Sequence, residues 1–241
     1  MRRAVAAQAR TELALQLRRG ENLLVMLLIP VGILVFFAEV DEVSTAFDEP
    51  VDFLVPGVLA LTVMASAMVS LGIATGFERR YGVLKRLGST PLRRSGLLTA
   101  KTVTVFALQA LQTVVVVATG AALGWDVPAA LVPAIGLLVL GSVAFAGLGM
   151  LMAGTLRAEA TLAVANGTFL LLLFLGGIAY PLDDLPPALE TVARALPAAA
   201  LAETLRATLT HESFPIGELA VLAGWAVAAP AAAIRWFRWE E

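Results

Sequence analysis

Residues 53–101 read FLVPGVLALTVMASAMVSLGIATG and then FERRYGVLKRLGSTPLRRSGLLTAK, an apolar run from Phe53 to Gly76 joined directly to a basic segment from Phe77 to Lys101. The first part contains no Asp, Glu, Lys or Arg and exceeds the roughly 20 apolar residues a helix needs to cross ~30 Å of hydrocarbon. The second part carries Arg79, Arg80, Lys85, Arg86, Arg93, Arg94 and Lys101. A membrane span ending in a cationic loop is therefore the unit from which the rest of the chain is read.

The same test finds further runs at 22–38, 102–124, 128–154, 161–180 and 216–234. The fold expected is an all-α integral membrane protein with six transmembrane helices, residues 1–241 forming one transmembrane domain. Composition agrees: 59% of the 241 residues are hydrophobic and 15% charged, against ~45–50% and ~25% in soluble domains. The spans consume most of the length, which leaves no room for a separate catalytic domain. Pro30, Pro56, Pro133 and Pro230 fall within or at the ends of the runs, where a helix should kink and a neighbouring helix must satisfy the freed carbonyl.

Lysine and arginine are retained on the cytoplasmic side, and acidic residues matter little to that rule. With the N-terminus inside, Arg2, Arg3, Arg10, Arg18 and Arg19, the seven basic residues of the 77–101 loop, and Arg157, Arg235 and Arg238 are all internal, and only Arg194 and Arg206 lie outside. Both termini are thus expected in the cytoplasm, and fifteen Arg to two Lys with abundant Ala point to a bacterial cytoplasmic membrane. The first span resembles a signal sequence but is expected to stay, because its apolar run is long and charges begin at Glu39. Residues 1–21 have helical periodicity and read either as an interfacial helix on the inner surface or as a basic, topology-setting tail.

A net charge of −2, no Cys and the single His211 argue against nucleic-acid binding, disulfide frameworks and nearly all metal sites. Ion-coupled carriers need ionisable groups at membrane depth. Here the most polar intramembrane side chains are Thr62, Ser66, Ser70, Gln109, Gln112, Ser142, Asn166 and Thr168, which hydrogen-bond but relay no proton and serve first as interhelical glue. Lys85 and Lys101 follow Leu84 and Ala100, so neither completes the Gly-Lys step of a phosphate-binding loop. Any energy for transport must come from outside the spans.

In the basic segment, Phe77, Tyr81, Leu84 and Gly88 fall at helical intervals with Leu87 beside them, which predicts a short amphipathic helix ended by Ser89-Thr90-Pro91. By composition alone this is a positive loop adhering to anionic lipid. Its motif is sharper. Glu78, Arg79, Gly82, Leu84, Leu87 and Pro91, with Lys101 at the start of span three, fit Glu-Arg-x-x-Gly-x-Leu-x-x-Leu-x-x-x-Pro. The chain thereby resembles the membrane subunits of type 2 ATP-binding-cassette exporters, especially the short bacterial drug-resistance (daunorubicin-resistance-like) permeases. The resemblance implies that residues 77–96 form a coupling helix docking on a cytoplasmic ATPase subunit. Glu78 would stand at the membrane end of the gate, Arg79 and Arg86 would offer salt bridges to the motor, and Arg80 lies in the same contact. ATP and Mg would be held by that partner, with no cofactor bound by this chain.

Leu175-Gly-Gly-Ile-Ala-Tyr-Pro181-Leu-Asp-Asp-Leu-Pro-Pro187 and Leu196-Pro197-Ala-Ala-Ala-Leu-Ala-Glu203-Thr-Leu-Arg206 are similar to the family's fifth span, outward loop and Asn-Pro-x-x-x-x-x-Glu-x-x-Arg element. Leu196 and Ala200 depart from its frequent Asn and aromatic. From the residues themselves, Pro187 suits a first helical position and Glu190–Arg194 and Glu203–Arg206 are helical pairs. Residues 181–215 thus read either as an amphipathic loop lying on the membrane or as short extracellular helices, and the resemblance implies the latter, capping the exit.

Gly72 and Gly76 form a G-x-x-x-G, extended by Ser66 and Ser70, a pattern that permits close helix approach. The resemblance implies a dimer of permease subunits, identical or related, with spans one, two and five around a central path, and this small-residue face is a candidate contact. Met64, Met68, Phe169 and Phe174, with Asn166 and Thr168, are candidates for adaptable contacts with a hydrophobic or amphipathic drug. Lipid or lipid-linked glycan export is the alternative cargo, and a non-transporting scaffold or sensor is the alternative of another class.

Overall fold

The computed structural model describes residues 2–18, 20–39, 50–84, 94–178, 181–210 and 215–238, and among these every regular element is helical. In order they are α1 (Arg2–Arg18), α2 (Gly20–Glu39), α3 (Pro50–Arg80), α4 (Arg94–Ala122), α5 (Leu131–Thr155), α6 (Ala158–Leu175), a 3-10 turn (Leu182–Asp184), α7 (Pro187–Arg194), α8 (Pro197–Leu209) and α9 (Ile216–Trp236). Among the described residues five helices are long and apolar enough to cross a membrane: α3, residues Ala100–Ala122 of α4, α5, α6 and α9; the apolar part of α2, Met26–Ala38, is shorter.

The 31 residues of α3 extend about 46 Å at 1.5 Å per residue. The helix thus overshoots a ~30 Å hydrocarbon layer and carries Phe77–Arg80 beyond Gly76 as a rigid extension. α6 does the opposite and stops at Leu175, short of the expected boundary at Tyr180, which lies outside the described residues. α4 begins at Arg94, so Lys101 sits two turns inside a helix rather than ahead of it.

α5 is the element around which the others pack, against α9, α3 and α8. The seam between α3 and α5 is glycine on glycine. A Cβ at Gly149 would stand 2.6 Å from the Met68 carbonyl oxygen, and one at Gly72 would stand 3.1 Å from the Gly149 carbonyl oxygen, so both backbones approach only because neither residue has a side chain. Gly76 faces Thr161 of α6. Gly72 and Gly76 of the small-residue face thus meet neighbours within the chain. Phe53, Met64, Met68, Phe145, Leu201 and Leu205 fill the core with essentially no exposure, while Val114, Val132, Val227 and Ile234 point outward, as helices facing hydrocarbon require.

The middle of α3, Met64–Ser70, is a π-helix. The single Ser66 O–H is shared between the upstream Thr62 carbonyl at 2.6 Å and Gln109 Oε1 at 2.9 Å, and Gln109 Nε2 donates to Thr62 Oγ1 at 2.9 Å. Side chains intruding on the i→i−4 ladder are a recognised cause of such widening. The neutral polar groups read from the sequence as glue do join α3 to α4 here.

Both ends of the described chain lie at one end of the bundle. α1 packs along α4, with Thr104 Oγ1 donating to Ala9 O at 3.4 Å. At the other terminus, Arg238 N donates to Gly154 O at 2.9 Å. We call this the basic end, and the end formed by α7 and α8 the cap end.

Candidate functional site

At the basic end, α3 stops at Arg80, and Tyr81–Gly82 make a turn in which Gly82 has φ +68°, a conformation that suits glycine. The amphipathic helix expected to run unbroken from Phe77 through Gly88 is therefore divided: Phe77–Arg80 belong to the membrane helix, and helical geometry resumes at Val83–Leu84. The physical reason is the glycine, whose positive φ cannot continue a right-handed helix. Leu84 is buried. Arg86, Leu87 and Pro91 lie outside the described residues.

Lys101 is almost wholly buried and lies between two carboxylates. Its Nζ is 2.6 Å from Glu78 Oε2 and 3.5 Å from Glu12 Oε1. The contact ties the end of α3, the start of α4 and the N-terminal helix α1 into one joint. Glu78 and Lys101 were legible as members of one motif. Glu12 was missed, and its only signal was an acidic residue in an otherwise basic helix.

Arg79 corrects an expectation. It does not face outward to a motor subunit: it is 5% exposed, and its Nη2 donates to Leu156 O at 2.5 Å and its Nη1 to Arg238 O at 3.5 Å. Leu156 is the C-cap of α5, so the guanidinium sits where terminal carbonyls and the helix dipole both favour a cation. Arg80 instead pairs with Glu159 at the exposed start of α6. Phe77 and Tyr81 stack with ring centroids 6.1 Å apart, one turn from each other on the same face.

Above this joint opens a groove of about 920 Å³. Its walls come from α2 (Met26, Pro30, Ile33), α3 (Val69, Ser70, Ile73) and α6 (Asn166, Phe169, Leu173), and Phe77, Glu78 and Tyr81 form its mouth at the basic end. The three helices read from the sequence as spans one, two and five each contribute to the lining of this groove. Ser70, Asn166 and Phe169 line it; Asn166 Nδ2 donates to Leu162 O of its own helix. Thr168 is half-buried and does not line it, and Ser66 is turned into the α3–α4 contact. Met64 and Met68, expected to offer adaptable contacts, are wholly buried in the core and do not line the groove. Phe174 is exposed outside it.

At the cap end Pro181 precedes the 3-10 turn, and Pro187 and Pro197 are the first residues of α7 and α8, where a missing N–H costs nothing. α8 does not rest on the surface: Ala198–Ala202 have no exposure, and the helix wedges among α3, α5 and α9. Arg206, buried, pairs with Glu203, donates from Nη2 to Gly177 O at 2.8 Å, and lies 4.0 Å above the Phe53 ring. One guanidinium therefore pins α8 to the end of α6 and the start of α3, two of the three groove walls. Arg194 joins Glu190 at 2.9 Å, Asp183 at 2.9 Å and Glu218 at 3.4 Å. The Glu190 hydrogen bond, followed by the carboxylate fields working against burial, holds it more firmly protonated than an ordinary arginine. Trp225 Nε1 donates to Ala195 O at 2.9 Å, fixing α9 to the same cap.

Among the described residues no cluster of three or more His, Asp or Glu side chains is placed to hold a metal ion. What the arrangement offers is an apolar groove between two ionic clamps, joined by one long helix. No match is found among curated proteins. Residues 3–210 match the family model described as ABC-2 type transporter, a span that takes in the N-terminal helix, the joint at Lys101, the groove and the Glu203–Arg206 clamp together. That coverage decides the matter, and the chain belongs to the ABC-2 type transporter family as a multi-pass transmembrane component, a permease.

Proposed function

We propose that the chain is the permease half of an ATP-driven exporter that moves hydrophobic or amphipathic compounds, such as drugs and antibiotics, outward across the bacterial cytoplasmic membrane. On this reading α2 crosses as a sixth span, both termini and the basic end are cytoplasmic, and the cap end faces outward. Residues 77–96 dock on a cytoplasmic ATPase subunit that holds ATP and Mg, and two permease subunits face each other across their grooves. The observation that carries the reading is the path of α3. It forms a wall of the groove through Val69, Ser70 and Ile73 and continues without a break to Glu78 at the Lys101 joint, so a push at the basic end reaches the groove through one helix.

The lining of the groove supports this character of cargo. The groove is lined mainly by aliphatic and aromatic side chains and carries its one carboxylate, Glu78, at the mouth, which suits an apolar body with a small polar part. Family members of this type work with ABC ATPase partners, and the spans themselves offer no titratable relay.

The test is reconstitution of the chain with a candidate P-loop ATPase in vesicles loaded with DNA, following ethidium fluorescence. ATP-dependent movement of the dye that falls at least several-fold in Glu78→Ala supports the reading. Dye movement driven by a pH or sodium gradient without ATP refutes it, and ATPase binding without any flux favours a scaffold.

A further inference from the structure

Pro30 lies inside α2. Proline has no N–H, so the carbonyl four residues earlier, that of Met26, loses its helical partner. Within hydrocarbon no water replaces it, and an orphaned carbonyl is costly. Gln112 of α4 fills the vacancy: its Nε2 donates to Met26 O at 3.2 Å, and the side chain is 2% exposed. Its Oε1 has no partner among the described residues, so the buried amide is held by a single bond, and that bond runs to the carbonyl the proline freed.

Met26, Ile29, Pro30 and Ile33 are the α2 wall of the groove, spaced as one helical face. Gln112 does not line the groove. One turn earlier on α4, Gln109 grips Thr62 and Ser66 of α3, the facing wall. α4 thus stands behind the groove with two neutral amides three residues apart, one holding each wall.

We propose that Gln112 is a positioning residue for the groove: by satisfying the Met26 carbonyl it fixes the bend of α2 at Pro30 and so sets where the Met26–Ile33 wall stands opposite α3 and α6. The proposal rests on reading the groove as the transport path, but the bend itself is tested without transport. With the amide removed, the Met26 carbonyl at the Pro30 hinge loses its hydrogen bond to α4, and the wall moves more freely.

The chain has no cysteine, so an Ile33→Cys reporter in the full-length protein is a single thiol, and Leu189→Cys on the cap serves as control. Gln112→Met keeps the shape and removes the donor. It is expected to raise the N-ethylmaleimide labelling rate at position 33 by about fivefold, the equivalent of one lost amide hydrogen bond, and to leave position 189 unchanged. Pro30→Ala restores an N–H to the Met26 carbonyl, so in that background Gln112→Met is expected to change the rate less than about twofold. Equal effects in both backgrounds, or none in the Pro30 background, overturn the proposal. Should Gln112→Met fail to accumulate in membranes, Pro30→Ala is expected to rescue it, and a double variant that also fails overturns the proposal. Ethidium flux in the same vesicles separates the two readings: the expected labelling pattern without flux leaves the bend standing and sinks the exporter, and flux without the pattern does the reverse.

Discussion

Replacing Lys101 with methionine keeps the length of the stem and deletes one charge, which isolates the work of the ammonium at the joint of α1, α3 and α4. The two carboxylates are unequally placed, Glu78 at 2.6 Å and Glu12 at 3.5 Å. Coulomb attraction falls only as the inverse of distance, so by itself it separates the two by about a third. Contact separates them further, because at 2.6 Å the two ions touch and at 3.5 Å they stand apart. A double-mutant cycle with Glu78→Gln is therefore expected to give a coupling of about 2 kcal/mol, and one with Glu12→Gln about 0.5–1 kcal/mol. Lys101→Met alone leaves two carboxylates facing each other. Breaking a buried pair costs ~3–5 kcal/mol, and the 30% exposure of Glu78 brings the expectation down to about 2–3 kcal/mol. Thermal unfolding of the detergent-purified protein, followed by helical circular dichroism, reads the ranking. A Lys101→Met variant as stable as the parent, or a Glu12 coupling larger than that of Glu78, refutes the assignment of Lys101 as the pin of this joint.

Arg79→Met is expected to lower stability by about 2–3 kcal/mol through loss of the bonds to Leu156 and Arg238, while pull-down of the ATPase subunit is unchanged; lost binding at unchanged stability would make Arg79 a docking residue after all. Gly149→Ala forces a Cβ against the Met68 carbonyl and should cost about 3 kcal/mol or more, whereas Gly167→Ala, with open space around it, should gain about 0.5–1 kcal/mol in helix stability. Melting temperatures of the two variants check the opposite signs. Arg206→Lys keeps the charge but not the planar fork that reaches Glu203, Gly177 and the Phe53 face together, and a loss of about 1–2 kcal/mol is expected; a lysine variant with the parent's melting point would remove the clamp from the argument.

What the sequence made legible was local. Pro187 and Pro197 were readable as helix starts, and Glu190–Arg194 and Glu203–Arg206 as pairs, because each depends on spacing within one helix. The end of α3 was misjudged although Gly82 was visible, since the apolar spacing of Phe77, Tyr81, Leu84 and Gly88 continues across a residue whose φ of +68° breaks the helix. Contacts between distant elements left no trace. Nothing in the spacing announces that Glu12 reaches Lys101, that Asp183 and Glu218 complete the shell of Arg194, or that Arg79 turns inward to cap α5. The G-x-x-x-G of α3 was visible, but its partner was another glycine in α5, and a motif for close approach does not name what approaches.

The distribution of polar groups along α3 bears on how a push would travel. The helix is held by ions at both ends, through Glu78 and Arg79 at the basic end and through Phe53 under Arg206 at the cap. Between them it is held by neutral hydrogen bonds at Thr62 and Ser66 and by the glycine seam at Gly72. Ionic clamps with multiple donors resist displacement more than single amide bonds do, so strain applied at Glu78 is relieved where the restraints are weakest. That place is the groove-facing side of the Met64–Ser70 π segment, where Ala65, Val69 and Ser70 border open space, while the Met68 carbonyl on the other side stays packed against Gly149. Under the exporter reading, the moving part is then the middle of α3 rather than its ends. The consequence is that Ser66→Ala, which removes a hydroxyl bridging Thr62 and Gln109 without touching either clamp, should alter dye flux per ATP hydrolysed while leaving ATPase binding intact, and a variant with the parent's flux ratio would return the motion to the ends.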